Sequence, residues 1–267
     1  MTALQASGIS VRLGDRTVLD GVDAVLRSGR LTAIVGPNGA GKTTLLKTLA
    51  GLQAPTRGTI LLDGAPLERM TARERARRIA YLAQGGTVAW PIPVRDVVAL
   101  GRLPHGEVPD RLGPGESAVS SALAAVGLAA LASRPASSLS GGERARALLA
   151  RALATESAIL LADEPVAALD PRHQLIVLDV LQERARAGGT IACIMHDLAL
   201  AARYADEVLL LKSGRIEASG TPREVLTAPR LADAFGIEAE VKLVDGWPLI
   251  IPRHALTIDE FRHNVST

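Results

Sequence analysis

The stretch from residue 31 to residue 44, LTAIVGPNGAGKTT, limits the fold of this chain more than any other part of the sequence. Its first five residues are apolar or β-branched, which is typical of a buried strand. A glycine-rich segment at residues 36–43 follows at once and fits the pattern G-x-x-x-x-G-K-[ST]. Helix-forming residues continue to Ala50, and Gly51 is placed to end the helix. A strand, a glycine loop and a helix in this order predict a phosphate-binding site.

The residue types in this loop favour a triphosphate with a magnesium ion. Glycine allows backbone angles that a side chain forbids, so consecutive N–H groups can point inward at a phosphate. The following helix adds the positive end of its dipole. Lys42 is expected to reach the β- and γ-phosphates, and the Thr43 hydroxyl to bind Mg²⁺. The residues predicted to hold the nucleotide here are Gly36, Pro37, Asn38, Gly39, Ala40, Gly41, Lys42, Thr43 and Thr44.

Two adjacent carboxylates, Asp163 and Glu164, follow an apolar run at residues 159–162. Ligands of parallel sheets bind beyond the carboxyl ends of the strands, so these carboxylates are expected to lie beside the phosphate loop. Asp163 is then placed to hold Mg²⁺ together with Thr43, directly or through water. Glu164 points elsewhere and can polarise an attacking water molecule.

Two further features are candidate phosphate contacts. His196 stands at the end of a third predicted strand, at residues 190–195, where it could donate a hydrogen bond to a γ-phosphate. The segment LSGGE at residues 139–143 precedes a predicted helix at residues 144–154. Ser140 suits the N-cap position, and glycine N–H groups at a helix start form another anion site; a simple capped helix is the alternative. The other histidines are expected at the surface: His105, His173, His254 and His263.

The order of predicted elements favours an α/β fold. Alternating apolar residues before residue 27 predict antiparallel strands. From residue 158 to residue 211, strands and helices alternate, which indicates a mostly parallel sheet covered by helices. Between Trp90 and Ser138, prolines separate helical pieces at residues 94–100 and 115–131, so we predict an inserted helical subdomain. The arginines of a short helix at residues 71–78 are assigned to a solvated face, with partner contact as the alternative.

Composition argues against several other classes of protein. A net charge of only +2 and an aromatic content of 2% leave little material for binding nucleic acid, so no nucleic-acid partner is expected. The first eight residues contain neither basic residues nor an apolar run, so no signal peptide is predicted. No run of about 18 bulky apolar residues is present, as a membrane-spanning helix would need. The single cysteine, Cys193, lies in an apolar run, which indicates a buried thiol in a reducing compartment. We therefore expect a soluble cytosolic protein.

Together the motifs resemble those of the nucleotide-binding subunits of ABC transporters. They are GPNGAGKT, Gln84, LSGGE, ILLADE, AALD at residues 167–170 and His196, in matching order over residues 1–235. The resemblance implies a P-loop NTPase (RecA-like) core with an N-terminal antiparallel β subdomain. It also implies that the helical subdomain covers about residues 88–150. Residues 236–267 are expected to be a short C-terminal extension with a β-hairpin.

The resemblance further implies roles for individual residues. Two copies of the chain would form a head-to-tail homodimer with ATP and Mg²⁺ between them. In that dimer the signature segment of one copy, Ser140, Gly141 and Gly142, clamps the γ-phosphate bound by the other copy, and Asp170 lies at the contact between the copies. Glu164 resembles the general base and His196 the γ-phosphate switch. The remaining implied catalytic residues are Lys42 and Gln84, and the implied metal ligands are Thr43, Gln84 and Asp163.

The residue that would contact adenine departs from the family pattern. Leu13 stands where the family usually places an aromatic side chain, and Arg12 precedes it. The resemblance therefore predicts that adenine rests on an aliphatic or a guanidinium surface at this point.

The resemblance implies ATP hydrolysis coupled to transport. Since no spanning segment is predicted, the pore would consist of two separate transmembrane permease subunits, and the chain would lie at the cytoplasmic face of the inner membrane. The stretch from residue 90 to residue 105 resembles importers of iron–siderophore, haem and cobalamin, which also use a periplasmic or extracellular substrate-binding protein. An exporter ATPase, or an importer of another substrate, is the alternative. The short segment between phosphate loop and signature has no heptads, which argues against chromosome-maintenance ATPases.

Overall fold

The computed structural model describes residues 3–86, 91–167 and 169–257. Its strands are β1 (Leu4–Leu13), β2 (Arg16–Leu26), β3 (Arg30–Val35), β4 (Arg57–Leu62), β5 (Ala65–Pro66), β6 (Ile79–Leu82), β7 (Ile159–Ala162), β8 (Thr190–Ile194), β9 (Glu207–Lys212), β10 (Arg215–Gly220), β11 (Ile237–Val244) and β12 (Trp247–Ala255). Its helices are α1 (Lys42–Leu49), α2 (Ala72–Arg78), α3 (Val94–Ala99), α4 (Gly115–Ala125), α5 (Gly141–Ala154), α6 (Pro171–Arg186), α7 (Leu198–Tyr204), α8 (Pro222–Val225) and α9 (Ala228–Phe235).

The central layer is a sheet with the strand order β10-β9-β3-β8-β7-β6 over the described residues. All neighbouring pairs are parallel except β9 and β10, which form an antiparallel hairpin. Every residue of β7 and β8 is buried, as expected for parallel strands covered on both faces. This order brings the carboxyl ends of β3, β8, β7 and β6 to one edge of the sheet.

Two apolar clusters cover the two faces of this sheet. Successive residues of β3 alternate between them, because side chains of a strand point to opposite faces. Ile34 joins the cluster formed with α1 and the antiparallel strands β1 and β2, whereas Ala33 and Val35 join the cluster formed with α3 to α7. The antiparallel sheet, ordered β2-β1-β4-β5 among the described residues, therefore lies on one side of the core. The α/β class predicted from the sequence is confirmed.

The segment between β6 and β7 is helical where the structure describes it. Helices α3, α4 and α5 pack against one another. Residues 88–90 of the predicted subdomain, with Trp90 at their end, lie outside the described residues. The expected helix at residues 115–131 is wrong in its extent, since α4 ends at Ala125 and Gly127 follows with a left-handed φ of +67°. Helix α5 begins at Gly141, earlier than predicted, because Ser140 and Glu143 form a capping box.

Helix α2 and the helical insert are joined by arginine side chains. The Nε atoms of Arg73 and Arg77 both donate to the Pro104 carbonyl, at 3.0 and 2.8 Å. The solvated face predicted for these two largely exposed arginines therefore also contacts the insert. His105, predicted at the surface, is half-buried, with Nε2 2.9 Å from the Thr155 carbonyl.

The C-terminal part that the structure describes forms a hairpin of β11 and β12. It packs against α7, α8 and α9 and buries Ala239 and Ile250. Residues 258–267, including His263, lie outside the described residues. Among the helices that are described, none has the length and apolar character needed to cross a bilayer.

Candidate functional site

The candidate site lies where four neighbouring strands of the central sheet end. Strand β3 leads into Gly36, β7 into Asp163, β8 into Met195 and His196, and β6 toward Gln84. Because these strands are adjacent and parallel, the residues that follow them meet at one edge. The structure therefore brings together the phosphate loop and the carboxylates that the sequence places far apart.

The phosphate loop has a shape that side chains at its glycines would disturb. Gly36 has φ +150°, and a Cβ there would lie 2.0 Å from the Leu211 carbonyl oxygen of β9. Gly41, the N-cap of α1, has φ +102°, and its Cβ would lie 2.9 Å from the Val18 carbonyl oxygen. The loop is thus packed tightly against its neighbours at both ends, which fixes the backbone between them.

Lys42 is the first residue of α1 and is only 7% exposed. Its Nζ donates to the carbonyls of Gly36 and Pro37, at 2.7 and 2.9 Å. Burial lowers the Lys42 pKa, while the charges of Glu164 and Asp163 act in the opposite direction. A buried cation held by carbonyls at a helix N-terminus fits a polyanion, and the glycine cradle around it fits phosphate groups.

Asp163 is 2% exposed and accepts hydrogen bonds on both carboxylate oxygens. Thr43 Oγ1 donates to Oδ1 at 3.3 Å, and the Tyr81 hydroxyl donates to Oδ2 at 3.3 Å. Burial raises the Asp163 pKa, and the bonds from Thr43 and Tyr81 oppose that rise. Burial also raises the Tyr81 pKa, so the phenol keeps its proton and remains a donor. A carboxylate beside a hydroxyl is a set of hard oxygen donors, which fits Mg²⁺.

Glu164 has a left-handed backbone, with φ +52°, and its carboxylate has other hydrogen-bond partners than that of Asp163. A non-glycine residue in this region is uncommon and is held there by its surroundings. The Gln84 Nε2 donates to Glu164 Oε2 at 2.7 Å, and His196 Nε2 lies 2.5 Å from Glu164 Oε1. Glu164 therefore connects the residues that follow β6 and β8.

A cavity of about 290 Å³ opens over the phosphate loop. It is lined by Arg16, Val18, Asn38, Gly39, Ala40, Gly41, Lys42, Thr43, Thr44, Glu164 and His196. Lys42 and Glu164 thus face one space. Arg16 and Val18 also line this cavity but were not predicted from the sequence. Their position near the start of β2, after the turn at Gly14, is the sequence feature that could have indicated this. Leu13, at the end of β1, is 48% exposed and is not among the described residues that line this cavity.

The signature segment begins α5 and is not among the described residues that line the cavity over the phosphate loop. Ser140 caps α5: its hydroxyl accepts from the Glu143 N–H at 3.2 Å, and its own N–H donates to Glu143 Oε2 at 2.8 Å. Gly141 lines a different cavity of about 370 Å³, together with Gln84 and Glu164. A single copy therefore leaves the Ser140 hydroxyl at an exposed helix start, and Ser140 is not among the described residues that line the cavity with Lys42.

Asp170 caps α6 by accepting from the backbone N–H of His173 at 3.0 Å, and its other oxygen lies 2.7 Å from His173 Nδ1. These hydrogen bonds lower the Asp170 pKa. Of the motif at residues 167–170, Ala168 lies outside the described residues. His173, predicted as a surface residue, is partly exposed and also holds the Asp170 carboxylate in place.

Comparison with known proteins agrees with this geometry. The profile of the ABC transporter family matches residues 19–167. A hemin import ATP-binding protein of Streptomyces coelicolor is 49% identical over 236 residues, which cover 88% of this chain and 84% of that protein. The ferric enterobactin transport ATP-binding protein of Escherichia coli is 40% identical over 253 residues, 93% of each chain. The crystal structure of a nucleotide-free ATP-binding cassette from an ABC transporter superposes with a TM-score of 0.77 at 26% identity, covering 88% of this chain and 99% of that one.

Proposed function

The chain belongs to the ABC transporter family, and from that membership we propose that it is the ATP-binding subunit of an importer that hydrolyses MgATP to drive uptake of a metal chelate. The observation that carries the catalytic part is that Lys42, Thr43, Glu164 and His196 line one cavity. The relatives named for hemin and ferric enterobactin both handle iron chelates, which favours haem or an iron–siderophore as the substrate. Cobalamin stays a candidate from the sequence resemblance of residues 90–105. An exporter ATPase or an importer of another substrate is the alternative.

In this proposal the phosphate loop binds and orients the triphosphate of ATP. Backbone N–H groups of residues 38–43, which include the start of α1, face the phosphate oxygens, and Lys42 exchanges its carbonyl partners, Gly36 and Pro37, for the β- and γ-phosphates. These contacts neutralise charge at fixed positions, which is the main source of catalysis in phosphoryl transfer.

Thr43 and Asp163 are the proposed residues for Mg²⁺, with Gln84 as a further ligand. Bound there, Mg²⁺ would neutralise negative charge on the β- and γ-phosphates. The Thr43–Asp163 hydrogen bond already brings the two oxygen donors to 3.3 Å from each other. The buried position of Asp163 favours binding of a cation, because an unpaired carboxylate is costly there.

Glu164 is the proposed general base, and His196 the residue that contacts the γ-phosphate. Both face the cavity, and each has a hydrogen-bonding atom next to the other. We propose that Glu164 accepts the proton of the attacking water while Gln84 holds its Oε2, and that His196 exchanges its contact with Oε1 for the γ-phosphate. The adenine-contacting role of Leu13 stays a prediction, with Arg16 and Val18 as alternatives supported by the cavity lining.

The proposed catalytic unit is a head-to-tail homodimer. Ser140, Gly141 and Gly142 are not among the described residues that line the cavity over the phosphate loop of their own copy, so in this proposal they cap the γ-phosphate bound by the partner copy. Their place at the N-terminus of α5 suits an anion. Asp170, ordered by His173, would lie at the contact between the copies.

The permease subunits are proposed to dock in a groove between the core and the helical insert. A cavity of about 430 Å³ lies there, lined by Leu52 after α1, by Arg75 of α2 and by Leu103 of the insert, among others. Leu52 and Leu103 are 63% and 49% exposed, which is unusual for large apolar side chains and favours a protein partner. The proposal also includes two permease copies and a substrate-binding protein outside the membrane. The chain itself would lie at the cytoplasmic face of the inner membrane.

The catalytic part is tested by measuring phosphate release from ATP by the purified chain with Mg²⁺. Glu164→Gln should retain ATP binding and lower hydrolysis by about 10²- to 10⁴-fold, because the base is lost while its shape is kept. Equal hydrolysis by the variant and the parent chain would show that Glu164 is not the base.

The partner part is tested by co-purification with membrane proteins from the native host. Leu103→Asp should release the permease, because it places a charge in the proposed groove. Leu243→Asp is the matched control, since Leu243 is 51% exposed at the tip of the C-terminal hairpin. Retention of the permease by Leu103→Asp, or its equal loss from both variants, would count against this groove.

A further inference from the structure

We propose that Tyr81 is a positioning residue of this ATPase site and that it connects the proposed docking groove with the metal-binding carboxylate. The inference rests on the proposed function. Tyr81 belongs to none of the motifs that the sequence analysis used. Its place on β6 gives it contacts on two sides.

On one side Tyr81 holds the Asp163 carboxylate. Its hydroxyl donates to Oδ2 at 3.3 Å, while Thr43 Oγ1 donates to Oδ1 at the same distance. Among the described residues, no other side chain has a hydrogen bond to Oδ2. Tyr81 therefore occupies the oxygen that faces away from Thr43 and leaves Oδ1 as the oxygen presented to a cation.

The backbone reinforces this arrangement. In the parallel pair of β6 and β7, Tyr81 lies opposite Leu161, and the Asp163 N–H donates to the Leu82 carbonyl at 2.8 Å. Strand β6 thus fixes both the main chain and the side chain of Asp163. Two residues beyond the end of β6, Gln84 donates to Glu164 in the same way. Each of the two consecutive carboxylates therefore takes one of its hydrogen bonds from β6 or from the residues directly after it.

On the other side Tyr81 lines the 430 Å³ cavity that also includes Leu52 and Leu103. One side chain thus touches the space proposed for the permease and the carboxylate proposed for Mg²⁺. A partner that fills the groove would press on the same residue that orients Asp163. No side chain of the known motifs has this pair of contacts in the described part of the chain.

The test compares two tyrosine-to-phenylalanine variants. The chain contains two tyrosines, and each hydroxyl donates to an aspartate: Tyr81 to Asp163, and Tyr204 to Asp179 at 3.1 Å. Tyr204→Phe removes an equivalent hydrogen bond between α6 and α7. Affinity for a non-hydrolysable ATP analogue is measured by calorimetry, once with Mg²⁺ and once with EDTA, and thermal unfolding without nucleotide checks the fold of both variants.

We expect Tyr81→Phe to keep the affinity in EDTA and to lose about tenfold of the affinity with Mg²⁺, because a hydrogen bond to a charged group is removed. Tyr204→Phe should change neither affinity. Unchanged Mg²⁺-dependent affinity in Tyr81→Phe, or equal losses with and without Mg²⁺, would overturn the inference. A parent chain whose analogue affinity does not respond to Mg²⁺ would instead contradict the proposed function.

Discussion

The substitution Gly36→Ala tests the phosphate loop by a change of one methyl group. The new Cβ would lie 2.0 Å from the Leu211 carbonyl oxygen and 3.0 Å from the Leu211 carbonyl carbon, both backbone atoms of β9. Strands β3 and β9 are hydrogen-bonded neighbours, so neither can move away without straining the sheet. The clash must therefore be relieved by displacing the loop.

Two contributions lower the free energy of unfolding of Gly36→Ala. Overpacking by an extra methyl group costs about 1–3 kcal/mol. Holding a non-glycine residue at φ +150° adds about 1–3 kcal/mol. The free energy of unfolding should fall by about 2–6 kcal/mol, or the Gly36 carbonyl should move away from Lys42 Nζ, now at 2.7 Å. In the second case a loss of about 3 kcal/mol lowers ATP affinity by about two orders of magnitude.

Chemical denaturation and ATP-analogue binding, measured on the same preparation, cover both outcomes. Gly64→Ala is the control: φ there is +80°, but a Cβ would meet nothing within 4 Å. Its cost should be limited to the left-handed backbone, about 1–2 kcal/mol, with unchanged binding. If Gly36→Ala unfolds and binds like Gly64→Ala, the close contact between β3 and β9 at this loop is refuted.

Three other predictions address separate parts of the molecule. Ser140→Arg should lower hydrolysis by about 10²-fold while the isolated chain still binds ATP, because Ser140 acts on the nucleotide of the partner copy; loss of binding by the single chain would contradict this. Arg102→Met should lower the free energy of unfolding by about 3 kcal/mol, because Arg102 is 5% exposed and binds Glu107 and the Ala154 carbonyl. Arg95→Met should lower it by less than about 1 kcal/mol, because the ion pairs of Arg95 are exposed. Equal losses of the two variants in chemical denaturation would refute this difference. Burial raises the pKa of Cys193 to about 12, so the thiol should react with a thiol reagent only as fast as the chain unfolds, and rapid reaction in the native state would disprove its burial.

The sequence predicted the parts of the site that depend on chain order. The apolar run at residues 31–35, the glycines after it and the carboxylates after residues 159–162 each carry a local signal, and parallel topology then places them together. The roles proposed for those residues stay predictions. The α/β class followed from the alternation of strands and helices, and it is confirmed.

Contacts between distant residues could not be predicted in the same way. Tyr81 reads as an ordinary strand residue, and only the pairing of β6 with β7 brings its hydroxyl to Asp163. Arg16 and Val18 reach the cavity because the hairpin of β1 and β2 folds over the phosphate loop. The end of α4 at Ala125 could not be predicted, because it depends on the left-handed conformation of Gly127. A single glycine inside a helical pattern is often tolerated and does not by itself mark the end of a helix.

The proposed mechanism depends most directly on ATP joining two copies of the chain. Gel filtration of Glu164→Gln with ATP measures this, because slow hydrolysis preserves the closed state. We predict a species of twice the 27.9 kDa chain mass, which returns to the single chain when ATP is removed or when Ser140→Arg is added. Elution of Glu164→Gln only as a single chain, with ATP bound, would contradict a site completed by the partner copy.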